Sequence, residues 1–178
     1  MRTDRVIRNR RVEPDAWTFW GVDPASREGA LPEGPVIVPL GTWKAERDSL
    51  LARGQPVGVW LAPADDPAEL AADLARLPLV AVHFPKFADG RGYSTAVLLR
   101  TRLHYRGELR AFGDVGRDQL FYLARVGFDA FSLPPHRDPE DALASFRDFT
   151  HPYQASVDDP RPLFRRRAAL AAKTEATP

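Results

Sequence analysis

The chain has 178 residues, of which 44% are hydrophobic and 28% charged, with a formal net charge of +1; this is the balance of one soluble domain with a respectable core. So small a net charge supplies no global field for nucleic acid or an anionic membrane, and no run reaches the roughly 18 apolar residues of a membrane helix. The chain has no cysteine, which excludes a disulfide framework, a Cys-ligated zinc or iron–sulfur site and a thiol nucleophile.

Met1 to Arg5 lead into no apolar signal core, so the expected location is the cytoplasm. Residues 5–13 read as a small hairpin, with Asn9 suited to a turn that needs a positive φ. Residues 14–34 carry Pro, Gly and Asp among Trp17, Phe19 and Trp20, an irregular arm whose aromatics pack onto the main domain. From residue 35 apolar runs alternate with helical patterns. Val36 to Leu40 forms a first strand; Thr42 then caps a helix ending near Arg53, with Gly54 just past its end. Val57 to Leu61 forms a second strand, and Asp66-Pro67-Ala68-Glu69 opens a helix with Asp as cap and Pro at the first position.

Leu79 to Phe84 is the third strand and is followed by a helix over 93–105. Leu109 to Phe112 is a fourth, weaker strand, followed by a helix over 117–126 that stops at Gly127. Phe128 to Leu133 is the fifth, and Asp138 caps a last helix over about 139–149. Five strand–helix units with short links imply an α/β fold with a mainly parallel sheet and right-handed crossovers. An open flavodoxin-like sheet is favoured over a partial β/α barrel, because five strands are too few to close an eight-stranded barrel. The division expected is a hairpin and arm over 1–34, the α/β domain over 35–155 and a basic tail over 156–178, disordered from Lys173 to Pro178. The run Arg165-Arg166-Arg167 reads as a solvated face rather than a nucleic-acid contact.

Candidate chemistry gathers in two loops that follow strands, where ligands bind in parallel sheets. The first holds Lys86, Asp89, Gly90, Arg91, Gly92, Tyr93 and Ser94. Its glycines let the backbone approach a ligand, and Lys86 and Arg91 add charge for an oxyanion; the alternative is a tight turn with solvated charges. It is neither a Rossmann fingerprint nor a P-loop, since a third glycine is missing and Lys precedes the glycines. The second loop holds Asp114, Arg117 and Asp118. Two carboxylates four residues apart suit Mg²⁺ or acid–base work, or one is a helix cap and the other a first-turn acid, the simpler reading. The four histidines, His83, His104, His136 and His151, form no zinc spacing. His83, at the end of a strand, reads as hydrogen-bonded core before it reads as a base. No G-x-S-x-G elbow is present.

These loops also carry a resemblance. The stretch F-P-K-F-x-D-G-R-x-Y-S of residues 84–94, G-E-L-R-A-x-G-D-V from 107 to 115, R-D-Q-L at 117–120 and G-F-D-A-F at 127–131 resemble an uncharacterised bacterial domain family whose members carry an oxidoreductase description tied to sulfite reduction. The resemblance spans most of residues 5–155. It implies a genomic association with assimilatory sulfite reductase and phosphoadenylyl-sulfate reductase, and it carries over no catalytic residue. Where such proteins often have a D-G hairpin turn, this chain has Asn9-Arg10. Six-electron sulfite reduction needs a metal cofactor relay, commonly siroheme with an iron–sulfur cluster, which a cysteine-free chain of this size does not supply. The expectation is therefore an accessory or electron-transfer-associated protein that binds an oxyanion or the reductase, or another sulfate-assimilation enzyme, through loops 85–94 and 113–119. In it Lys86, Arg91 and Arg117 supply charge, and Asp89 and Asp114 hold the loops in shape. The alternatives are a stand-alone oxidoreductase using a flavin or a nicotinamide in the same cleft, and a non-catalytic scaffold.

Overall fold

A computed structural model describes residues 4–23, 29–150 and 152–166. The strands are β1 Arg5–Arg8, β2 Arg11–Pro14, β3 Thr18–Phe19, β4 Val36–Pro39, β5 Val57–Leu61, β6 Leu79–Phe84, β7 Glu108–Gly113 and β8 Ala130–Ser132. They form one mixed sheet in the order β2-β1-β8-β7-β6-β5-β4-β3. From β3 to β8 every neighbouring pair is parallel, whereas the β1–β2 hairpin is antiparallel and adds to β8. The hairpin turn is built as its residues suggest, with Asn9 at φ 50° and Arg10 at φ 62°.

The sheet is curled into a half-barrel. Phe19 on β3 and Phe112 on β7 stack with ring centroids 4.2 Å apart, although four strand spacings would separate them by about 19 Å in a flat sheet. The strand order corrects the flavodoxin-like expectation. A flavodoxin-like sheet reverses direction once and so has a switch point; here the parallel strands succeed one another without reversal. Equal-handed crossovers then carry every connection to the same side. The curled half-barrel matches the partial-barrel alternative.

One face of the sheet packs on the helices. Val36, Val38, Val59, Leu61, Val80 and Val82 alternate onto it and meet Trp43, Leu50, Leu99, Leu120 and Phe146 in the larger core. Helix α1 (Leu40–Ala52) begins directly from β4 without the expected Thr42 cap; Pro39 is its N-cap, held at φ −66° by its ring, with no side-chain cap bond. Asp66 does cap, accepting the Ala68 N–H at 2.9 Å, but it opens a 3-10 turn over Pro67–Leu70 rather than an α-helix. Buried Asp73 ties that segment to α1 by accepting the Trp43 indole N–H at 3.0 Å, a tertiary bond that a sequence pattern does not reveal. Helices α2 (Arg91–Val97, continued by a π turn to Arg102), α3 (Leu120–Arg125) and α4 (Pro139–Ala142) complete this layer. Gly54 and Gly127 have φ 68° and 111° just past α1 and α3, as C′ glycines do. Residues 154–158 lie along α3, where Asp158 pairs with Arg125 at 3.3 Å. Arg167, the expected disordered end and His151 lie outside the described residues. Among the described residues no helix is long and apolar enough to cross a membrane.

The concave face is covered by the chain between β2 and β3, which crosses it from one sheet edge to the other. Phe19, Ile37, Trp60, Leu79, Ala81 and Phe112 form a second, aromatic core there, flanked by Trp17 and Val22. Beside it Arg110 of β7 donates from Nη1 to Asp15 at 2.8 Å, both side chains being 0% exposed. Glu108 meets the same guanidinium and also pairs with Arg8, which reaches Glu13 in the hairpin. The expectation that the arm packs by its aromatics is met, and a buried ion pair anchors it as well.

Removing one partner of a buried pair leaves an uncompensated charge, whereas removing both costs much less. Asp15→Ala is expected to lower unfolding stability by about 3 kcal/mol in chemical denaturation. The double variant Asp15→Ala with Arg110→Met should lose clearly less than the two single losses added together; additive losses would mean that the pair does not anchor the arm.

Candidate functional site

The carboxyl ends of β6 and β7 form the mouth of the half-barrel, and the two loops named by sequence are bonded to each other there. Asp114 donates its backbone N–H to the Phe84 carbonyl at 2.7 Å, continuing the ladder past the strand ends. Its carboxylate accepts the Phe87 N–H at 3.0 Å. Gln119 donates its side-chain amide to the Phe87 carbonyl at 3.1 Å and accepts the Gly116 N–H at 2.9 Å. Phe87 is thus held on both sides by its backbone while the residue stays 49% exposed. Asp114 is therefore not a helix cap, as the simpler sequence reading has it; the N-cap of the 3-10 turn Arg117–Gln119 is Gly116, and Asp118 is the first-turn acid.

The charged candidates divide into paired and unpaired. Arg91 forks onto Asp89 through Nε at 2.9 Å and Nη2 at 2.7 Å. Asp89 also accepts the Arg91 N–H at 3.3 Å, and the Arg91 side chain holds the Asp89 carboxyl below its usual range. Arg117 turns away from the loop and donates to Ser145 Oγ at 3.3 Å. Lys86 is exposed and has no ion pair among the described residues. Gly90 is exposed with open space around it, whereas Gly92 serves packing: a Cβ there would lie 2.5 Å from the Phe84 ring. Tyr93 packs edge-on against Phe84 and, with exposed Ser94, lines an apolar groove with Val97, Leu98 and Val126 on the helical side. Burial, with the Asp118 charge behind it, raises the Tyr93 phenol.

His83 completes the mouth. Its imidazole stacks on Phe112 with centroids 4.7 Å apart and meets the Trp60 edge at 5.8 Å. No hydrogen bond to its ring is found among the described residues, so the hydrogen-bonded core histidine expected from sequence is instead a stacked one. Burial lowers its pKa below 6.5, opposed by the Asp89 charge. Room for the ring depends on Gly113. At φ 102°, a Cβ there would stand 2.3 Å from the Phe84 carbonyl and 2.8 Å from the His83 ring. Among the described residues no three His, Asp or Glu side chains converge as a metal cluster.

A family profile matches residues 58–164, 107 of the 178. The chain belongs to the bacterial family of unknown function DUF934. Both loops of the DUF934 mouth fall inside the matched segment, as do His83, Arg110 and Phe112; the hairpin and the crossing arm precede it. No curated protein and no solved structure matches the chain.

The His83 environment sets a pH test. A histidine whose folded pKa lies below its unfolded value binds fewer protons folded than unfolded. Its stabilising contribution is therefore full above about 6.5, the unfolded value, and is lost as pH falls from there through the folded pKa. NMR titration of the His83 imidazole should give a midpoint below 6.5, and Asp89→Asn should lower it further by removing the opposing charge. A midpoint at or above 6.5 in the unmodified chain would contradict the stacked, desolvated ring.

Proposed function

We propose that the protein is an accessory of assimilatory sulfite reduction that docks the reductase through the mouth of its half-barrel. The pathway comes from the resemblance carried by residues 84–94, 107–115, 117–120 and 127–131. The mode of action comes from Phe87. An exposed aromatic whose backbone N–H and carbonyl are both clamped, by Asp114 and Gln119, loses little freedom on binding, and such anchors dominate protein interfaces. Lys86 beside it adds an exposed cation for steering. Docking is favoured over oxyanion capture in loop 85–94, because Arg91 is already forked onto Asp89 and Arg117 is turned to Ser145.

The test is direct binding to purified assimilatory sulfite reductase, with an absorption spectrum of the isolated protein alongside. Phe87→Ala is expected to weaken the complex by about thirtyfold, roughly 2 kcal/mol, and Lys86→Ala by a few-fold with stronger salt dependence in the parent. Neither should shift the melting temperature, since both side chains are exposed. Failure of the unmodified protein to bind would overturn the reading. A flavin band in its spectrum would transfer the case to an independent oxidoreductase.

A further inference from the structure

Arginines in this fold that are not exposed share a pattern. Arg8 pairs with Glu13 and Glu108, Arg100 with Asp129, Arg110 with Asp15, Arg125 with Asp158 and Arg166 with Asp159. Arg53 donates to the Pro32 carbonyl and to Gln55. Arg137 departs from it. It is half-buried, and its Nε is cut off from solvent with no hydrogen-bond partner, as are Arg53 Nη1, Arg110 Nη2 and Arg166 Nε; those three guanidiniums have acceptors on their other nitrogens, whereas no side-chain hydrogen bond or ion pair to Arg137 occurs among the described residues. A buried guanidinium nitrogen with no acceptor is costly, and folded proteins mostly avoid leaving one. One unmatched arginine among so many matched ones therefore points to a ligand.

The surroundings say which kind. Arg137 lines a cleft of about 220 Å³ at the carboxyl end of β8, with Asp4, Arg5, Leu133, Pro134, Pro135 and Pro139. The turn that carries it is stiff. Two prolines precede it and its own N–H donates to the Pro134 carbonyl at 2.9 Å, so the guanidinium is placed before any ligand arrives. Arg5 adds a second cation at the cleft, although Asp138 pairs with it at 3.2 Å. Asp4 is exposed at the rim, where its carboxylate stays solvated. The Arg137 Nη1 reaches towards Gly116, 3.5 Å from where a Cβ would stand, and the exposed Asp118 carboxylate, 2.4 Å from the same point, stands beside it without an ion pair among the described residues. The cleft thus opens beside the 113–119 loop, on the same side of the sheet as the mouth. A planar fork of donors in a small, proline-walled cleft suits a compact anion with several acceptor oxygens.

We propose that Arg137 is the binding residue of a small-oxyanion site, taking an ion of the sulfate or phosphate class. This goes beyond the docking role of Phe87 and stands on different residues, so either can fail alone. The probe is inorganic sulfate, titrated at constant ionic strength against chloride and followed by ¹H–¹⁵N NMR of the full chain. Saturable shifts are expected at the backbone amides of His136, Arg137 and Gly116, with a dissociation constant on the order of 1 mM. Arg137→Gln should weaken binding at least about tenfold, and Arg137→Lys should also lose affinity because an ammonium cannot form the fork. The exposed control Arg147→Gln should bind as the parent does. Arg137→Gln should melt no lower than the parent in chloride, since no side-chain hydrogen bond or ion pair is lost; a lower melting point would assign Arg137 a structural role and overturn the site. Linear, non-saturating shifts in the parent, or equal affinity in Arg137→Gln, would overturn it too.

Discussion

The ion pair between Asp15 and Arg110 is the constraint on which the rest of the structure leans. It joins the segment between β2 and β3 to the middle of β7, with neither side chain exposed. Once that contact is made, the arm must run across the concave face, and Phe19 arrives against Phe112. A sheet whose first parallel strand reaches its fifth cannot be flat, so the curl is a consequence. Buried ion pairs add little net stability, because desolvation offsets the attraction; what this one supplies is placement, since a misplaced arm would leave the buried Arg110 with Glu108 as its one carboxylate partner. Glu108 and Arg8 extend the same network to the hairpin, so both ends of the sheet are referred to one buried guanidinium.

The curl then decides what the mouth is. With the concave face filled by Phe19, Trp60 and Phe112, the exposed polar surface lies at the strand ends, where loops 85–90 and 113–119 bond to each other. Most charge there is internally matched, as Asp89 and Arg91 show. Among the described residues Lys86, exposed at the loop tip, Asp118, exposed beside Gly116, and Arg137, half-buried at the end of β8, have neither an ion pair nor a side-chain hydrogen bond. An exposed clamped aromatic and a half-buried guanidinium with no acceptor are two different invitations, one to a protein surface and one to a small anion. Their occurrence on one side of one sheet gives the docking and the ion-binding proposals a common location.

Local structure is legible wherever it depends on near neighbours. The Asn9-Arg10 turn, the C′ glycines at 54 and 127 and the caps at Asp66 and Asp138 are all readable because each rests on backbone preferences within a few residues. The α-helix expected after β5 is replaced by a 3-10 turn over Pro67–Leu70 followed by further turns, which Asp73 ties to Trp43. The Asp114 carboxylate reads as a cap because its true partner, the Phe87 N–H, is 27 residues away. Arg137 carries no sequence signal at all: Pro134-Pro135-His136-Arg137-Asp138 reads as a loop ahead of a capped helix, and only burial without a partner singles it out.

The sequence by itself determined the α/β class, the apolar alternation that makes the strands, the hairpin and the two loops at strand ends, since periodicity and turn chemistry are local properties. Strand order, the half-barrel curl, the crossing arm and the division of charged side chains into paired and unpaired were decided only by the tertiary structure. Each depends on contacts such as Asp15 with Arg110 or Phe19 with Phe112, more than ninety residues apart in the chain, and no local preference encodes which of many buried partners will meet.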